Sequence, residues 1–247
     1  MLDPVAYSKA VERMVTKRSD EGLLRKYYRF RAARFYGGIA TADAVGCNLN
    51  CAFCWVKEPR LKPWKYGEFY SPREVASKLE EIARHGRFSK VRVSGAEPTI
   101  GREHLVELIN VIDSKLLFIL ETNGVLIGYD ESYAREFIDK NIYVRVSLKG
   151  ASNEEFALLT NAGPEFYDYQ LKALENLEKY GVSYRPALMM FSKNIEELKE
   201  RLERISPGLS EEIEIEELML FPHVKKELEK RKIDYRNFQQ LTLHPSD

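Results

Sequence analysis

Cys47, Cys51 and Cys54 are the only cysteines in the 247-residue chain, and they fall within eight positions. Three thiolates spaced CxxxCxxC on one loop can hold three corners of a [4Fe–4S] cube, leaving the fourth iron without a protein ligand. An open position of that kind separates a reactive metal site from a closed structural one. A structural zinc would need a fourth ligand, and His85, His104, His223 and His244 show no finger spacing. A dedicated electron carrier would normally bring four cysteines. Three buried, inert thiols are the remaining alternative. Spacing alone establishes an incomplete thiolate set.

Further polar groups sit at the ends of apolar runs. Ser94-Gly95-Ala96-Glu97-Pro98 follows one such run and Glu121-Thr122-Asn123-Gly124 ends another. In Tyr143–Lys149, period-two alternation puts Tyr143, Arg145, Ser147 and Lys149 on one face and Val144, Val146 and Leu148 on the other. The apolar face must pack on helices, so Arg145 and Lys149 point inward and need anions, for which Glu97 and Glu121 are available. Arg185, before Pro186, either contacts a ligand or snorkels to the surface.

The elements that must position these groups alternate. Strands are expected at 38–45, 90–94, 116–121, 142–149, 182–191 and 213–220. Helices are expected at 71–86, 102–114, 131–141, 152–160, 165–181, 195–205 and 224–232. Two more are expected at 4–17 and 20–36, the second with a stripe of Leu24, Tyr28, Ala32 and Phe35. The pattern predicts an α/β fold: a partial (β/α)6 TIM-type barrel over 38–247 with a C-terminal helix, preceded by an N-terminal helical extension over 1–37. In such folds the chemistry lies beyond the C-terminal ends of the strands, where the polar groups cluster.

Composition limits the function. The 38 Lys+Arg balance 38 Asp+Glu, which disfavours a globally basic nucleic-acid binder. The first 36 residues carry nine basic against four acidic side chains, interleaved with Tyr27, Tyr28, Phe30, Phe35 and Tyr36. Such interleaving can serve RNA, but an amphipathic helix with solvated bases is the preferred reading. No run of 18 apolar residues and no signal-like segment is visible, so no membrane association and a reducing cytoplasm are expected.

With Phe53 before its third cysteine, CxxxCxxC resembles the signature of the radical S-adenosylmethionine (SAM) superfamily. The resemblance implies one [4Fe–4S] cluster on Cys47, Cys51 and Cys54. It also implies SAM bound at the open iron through its methionyl amine and carboxylate, an external electron donor, and a 5′-deoxyadenosyl radical that abstracts hydrogen from substrate. Gly95-Ala96-Glu97-Pro98 resembles the family's Gly-Gly-Glu-Pro, which implies SAM-amine contacts from the Gly95 and Ala96 backbone and from Glu97. Glu121-Thr122-Asn123-Gly124 is similar to the Asp-Thr-Asn-Gly of glycyl-radical-enzyme activases, implicating Glu121 and Asn123. Ser147-Leu148-Lys149 resembles the activases' Asp-Leu-Lys. Lys149 is then the SAM carboxylate partner, and Arg145 either joins it or neutralises Glu121 where those relatives use a monovalent cation. Arg185 falls where the family often places a contact to the SAM ribose. The implied substrate is a glycine of a partner protein. The rival enzyme reading is a small molecule or nucleoside, and the non-enzymatic rival is an electron-transfer protein. No cysteine follows Cys54, so no auxiliary cluster is expected.

Anaerobically reconstituted protein is expected to hold about four irons per chain. Cys47→Ala, Cys51→Ala and Cys54→Ala are each expected to lose the cube, as read by iron and sulfide assay. Stoichiometric zinc with no capacity for iron would reverse the assignment.

Overall fold

The computed structural model describes residues 1–20, 22–189, 191, 195–236 and 240–241. Glu21, Met190 and His244, and the C-terminal end of the expected core, lie outside the described residues. Helix α1 (Pro4–Val15) begins where Asp3 accepts from the Val5 and Ala6 amides, both at 2.9 Å, with Pro4 in the first turn. The chain then turns extended. Strands β1 (Thr16–Ser19) and β2 (Gly22–Ala33) pair antiparallel, and β2 pairs antiparallel with β3 (Ile39–Ala44).

The helix expected over 20–36 is therefore a strand. The register of β2 against β3 shifts between Tyr27 and Arg29. Such a bulge inserts one residue and resets the side-chain alternation. Tyr27 and Phe30, three apart in sequence, then pack together with ring centroids 5.8 Å apart. That spacing imitates a helical face. Ala32 and Phe35 of the supposed apolar stripe are exposed, whereas Arg25 is fully buried.

Next come α2 (Glu58–Leu61) and β4 (Glu68–Tyr70), which pairs with β2. The α/β alternation follows as α3 (Pro72–Gly86), β5 (Lys90–Gly95), α4 (Arg102–Val111), β6 (Leu117–Thr122), α5 (Val125–Tyr129), α6 (Ser132–Arg135), β7 (Ile142–Leu148), α7 (Asn153–Thr160), α8 (Tyr167–Lys179), β8 (Tyr184–Leu188), α9 (Glu196–Ile205) and β9 (Glu214–Ile215). Strand β10 (Leu218–Met219), α10 (Pro222–Lys230) and β11 (Gln240–Leu241) complete it. Ser71 caps α3 with the reciprocal Ser71–Glu74 bonds its sequence announces. The helix expected at 131–141 shrinks to one turn, followed by Asp139 in the left-handed region (φ 59°). The strand expected at 213–220 splits into β9 and β10, and β10 pairs with β11.

The sheet runs β1-β2-β3-β5-β6-β7-β8-β9, parallel from β3 to β9, and it does not close. The six parallel strands are the expected ones, and the architecture is an open, partial α/β barrel. Ala40, Ala42, Ala44, Val91, Val93, Phe118, Leu120, Val144, Val146 and Leu148 belong to the core shared with the helices. Alternate positions on the opposite face carry Asp43, Arg92, Ser94, Glu121, Arg145 and Ser147.

The chain leaves β3 through Gly46 (φ 84°), where a Cβ would stand 2.6 Å from Val11 Cγ1 and 2.8 Å from Val15 Cγ1 of α1. Gly46→Ala is expected to destabilise the iron-free protein by about 1–3 kcal/mol, through backbone strain and displacement of α1. Urea denaturation measures this.

Candidate active site

The cysteine loop leaves the C-terminal end of β3 and is fixed by backbone and arginine contacts. The Asn50 and Ala52 amides donate to the Thr160 and Leu159 carbonyls of α7 at 3.2 and 2.8 Å. Arg60 Nη1 donates to Asn50 Oδ1 at 2.7 Å, and Arg231 Nη2 donates to the Asn50 carbonyl at 2.9 Å. Asn48, fully buried, accepts from Asn123 Nδ2 at 2.7 Å, which ties the loop to the end of β6. Arg60 and Arg231 follow no local pattern and were invisible to sequence reasoning.

Glu97 is 1% exposed at the end of β5. Its Oε1 accepts from Thr99 N at 3.1 Å, Thr99 Oγ1 at 2.6 Å and Thr122 Oγ1 at 2.6 Å. Its Oε2 accepts from Asn123 N at 2.9 Å, and its own amide donates to the Gly46 carbonyl at 3.0 Å. Gly95 has φ 94°, and a Cβ there would stand 3.0 Å from Ala44 N, so the turn lies against the end of β3. Ala96 follows with its amide on the Ala44 carbonyl at 3.2 Å. The structure thus brings Gly95, Ala96, Glu97 and Asn123 together beside the cysteine loop. Buried Gln170 of α8 extends the group: it donates to the Asn123 and Ser147 carbonyls and accepts from Lys149 N at 3.0 Å.

Glu121 has other partners than those expected. It accepts from Arg92 Nη1 at 3.0 Å, Ser94 Oγ at 2.7 Å and Tyr36 Oη at 2.9 Å. Burial would raise its pKa, but Arg92 chiefly, and Arg145 from further off, outweigh that and hold it below the usual carboxylate range. The direct neutralising cation is therefore Arg92, not Arg145. Alternation in Lys90-Val91-Arg92-Val93-Ser94 carried that signal. Arg145 instead pairs with Glu214 at 2.7 Å and Glu216 at 2.7 Å. Burial opposes its charge, yet Glu216 and Glu214 hold its pKa above the ordinary value. Ser147 donates to Glu216 at 2.7 Å, and Lys149 Nζ donates to Ser147 Oγ and lies 3.8 Å from Glu216. Lys149 sits over the Phe53 ring, 5.6 Å from its centroid. Burial works against its charge too, and Glu216, Cys51 and Cys54 together raise its pKa. Arg185, beside Arg145 in register, is exposed.

The donor set fits a cluster. Burial pushes the Cys47 thiol up and the Cys51 thiol to about 11, so holding thiolates here requires added positive charge, which iron brings. The Leu49 amide donates to Cys47 Sγ at 3.4 Å, the kind of bond that stabilises a cluster sulfur. Asn48 Nδ2 is a buried donor with no partner, next in sequence to Cys47. Among the described residues, no three His, Cys, Asp or Glu side chains gather as they would around a single metal ion.

A parallel α/β partial barrel with an incomplete cysteine set at the end of its first parallel strand, and a caged glutamate at the end of the second, defines an enzyme built around a metal cluster. Residues 43–205 match the radical SAM superfamily, and the chain belongs to it. Enzymes of that superfamily use a [4Fe–4S] cluster and SAM and require an external reductant. A Methanocaldococcus jannaschii protein described as a glycyl-radical enzyme activating enzyme is 27% identical over 124 residues, 49% of this chain and 43% of that protein. The 7-carboxy-7-deazaguanine synthase of Clostridium acetobutylicum is 36% identical over 82 residues, 32% of this chain and 34% of that protein. Streptococcus suis SuiB, solved with precursor peptide SuiA, shares the fold with a TM-score of 0.56 at 16% identity, covering 83% of this chain and 48% of SuiB. Each match spans less than half of the other protein's length. Among the described residues no helix is long and apolar enough to cross a membrane.

Arg145→Met leaves Glu214 without its cation and Glu216 with only Lys149 and the Ser147 hydroxyl, and is expected to cost about 3 kcal/mol near neutral pH. The folded pKa of Glu216 is lowered: burial opposes this, but Lys149 and Arg145 prevail. Its stabilising contribution is therefore present above the unfolded carboxylate value of roughly 4.3 and is lost as pH falls through the lowered folded value. The gap between wild type and variant in denaturant titrations is expected to narrow below about pH 4.3. A gap independent of pH would show that the ion pairs do not contribute in this way.

Proposed function

We propose that this radical SAM enzyme cleaves SAM reductively and directs the 5′-deoxyadenosyl radical to a glycine of a partner protein, with Glu97 and Lys149 holding the amino-acid end of SAM. When bound to Cys47, Cys51 and Cys54, the cluster supplies the electron for that cleavage and an open iron for SAM. The observation that carries the reading is the uneven saturation of Glu97. A carboxylate offers about four acceptor positions. Three donors reach Oε1 and one reaches Oε2, so the remaining capacity lies on Oε2, next to Asn123 and tied through Gly46 to the cysteine loop. Because Thr99, Thr122 and Asn123 fix the carboxylate, an ammonium donor meets a preorganised acceptor and loses little to reordering.

Lys149 is assigned to the SAM carboxylate. It is partly buried, close to Phe53, and less tightly engaged by Glu216 than Arg145 is. Arg145 forms the wall behind it rather than a direct contact. Glu121, caged by Arg92, Ser94 and Tyr36, stays away from the amine.

Two observations support the glycine substrate: the Glu121-Thr122-Asn123-Gly124 segment, and the similarity to the M. jannaschii protein described as an activating enzyme. A second reading, a small-molecule reaction on a base precursor, is favoured by the 36% identity to a deazaguanine synthase.

Reduced anaerobically, the protein is expected to convert SAM to 5′-deoxyadenosine and methionine. Glu97→Ala is expected to weaken SAM binding by about 1–3 kcal/mol in equilibrium dialysis. With an unlabelled glycyl-radical protein of the same genome a protein-radical EPR doublet is expected, and with the α-deuterated glycine form the doublet is expected to collapse while deuterium appears in 5′-deoxyadenosine. A deazaguanine product without a protein radical would transfer the substrate to the second reading. A full cluster with no 5′-deoxyadenosine would remove the catalytic reading.

A further inference from the structure

Arg25 of β2 is fully buried and lies outside the residues that match the superfamily. Among the described residues no carboxylate stands within ion-pair distance of it, and its Nε has no hydrogen-bond partner. Its guanidinium serves three main-chain carbonyls instead. Nη2 donates to Glu97 O at 2.7 Å and to Val45 O at 3.4 Å, and Nη1 donates to Ile100 O. Glu97 and Ile100 belong to the turn after β5, while Val45 is the last residue before Gly46 and the cysteine loop. One planar fork therefore spans both strand ends that build the site, a geometry a lysine ammonium cannot reproduce.

Burying a guanidinium without a carboxylate is costly, and a turn that needed only filling would be served by an apolar side chain. Charge-assisted donors to carbonyls are shorter and stronger than neutral ones, so the arrangement gives rigidity at one place. That place is the backbone under Glu97. Two further ties hold the same turn: Tyr133 Oη donates to Thr99 O at 2.8 Å, and Glu97 N donates to Gly46 O at 3.0 Å.

We propose that Arg25 is a positioning residue for SAM: it holds the Gly95–Gly101 turn against the root of the cysteine loop so that the carboxylate and carbonyls of that turn are set for the amino-acid end of the ligand. This rests on the assignment of Glu97 to the SAM amine. The test compares wild type, Arg25→Lys and Arg25→Gln as reconstituted holoprotein. Two ligands are titrated: SAM and 5′-methylthioadenosine, which keeps the nucleoside and sulfur but lacks the amino-acid end. Hydrogen exchange over residues 94–101 is followed in the iron-free proteins.

Both variants are expected to lose about tenfold or more in SAM affinity, as for a displaced charge-assisted contact. Methylthioadenosine affinity and iron content are expected to hold, and exchange at 94–101 to rise while that of α8 stays unchanged. Equal losses for both ligands, or normal SAM affinity, would overturn the proposal. So would failure of both variants to fold, which would make Arg25 a general core element. If wild type itself binds no SAM, the Glu97 assignment fails. In that case unchanged exchange at 94–101 still overturns the role of Arg25, and a selective rise there supports its hold on the turn.

Discussion

The carboxylate of Glu97 is the point through which three strand ends are joined. Its oxygens reach Thr122 and Asn123 at the end of β6, its amide reaches Gly46 at the end of β3, and it sits itself on the turn after β5. A buried carboxylate with unmet lone pairs would be costly, so the hydroxyls of Thr99 and Thr122 are as much required by Glu97 as it is by them. The same set of bonds is unevenly shared between the two oxygens. With three donors on Oε1 and one on Oε2, the acceptor capacity left over lies on Oε2.

The inner face of the sheet extends this logic into a chain of paired charges. Asp43 is bound by Arg29 and Arg31, Glu121 by Arg92, and Glu214 and Glu216 by Arg145. The first two pairings join neighbouring strands, β2 to β3 and β5 to β6, and the third reaches from β7 past β8 to Glu214 of β9 and to Glu216, so the charges of a polar interior are matched locally. Lys149 stands nearest the cysteines in this series. Burial opposes its charge, and Glu216 first, with Cys51 and Cys54 after it, raises its pKa.

Much of this was legible from the sequence, and the failures have physical causes. The parallel strands, the cysteine loop and the Glu97 turn were readable because the relevant residues lie together in the chain and the strands alternate cleanly. Period two likewise announced the inward faces of Arg145, Ser147 and Lys149. The period of Leu24, Tyr28, Ala32 and Phe35 suggests a helix where β2 runs, but Ala32 and Phe35 are exposed, and a bulge brings Tyr27 and Phe30 together instead. Glu216, Arg60, Arg231 and Gln170 were missed because their roles come from tertiary contacts that no local pattern encodes. Glu216 reaches Ser147 across 69 residues of sequence, and Arg231 reaches Asn50 across 181. Arg185 fell on the right strand and register but at a position facing solvent.

The anchoring of the cysteine loop also dictates when it can take shape during biosynthesis. The loop is complete by residue 54, but its fasteners are the carbonyls of Leu159 and Thr160 and the guanidinium of Arg231. As the chain emerges, Arg60 follows the three thiols at once, but the α7 carbonyls come more than a hundred residues later and Arg231 later still. Long-range closure of this kind comes late in folding because its entropy cost falls due before its contacts form. The thiols therefore emerge reactive and unplaced, and acquire a fixed geometry only once α7 and α10 have docked. A product truncated before α10 would lack the Arg231 contact to Asn50, and one truncated before α7 would also lack the carbonyls that bind the Asn50 and Ala52 amides.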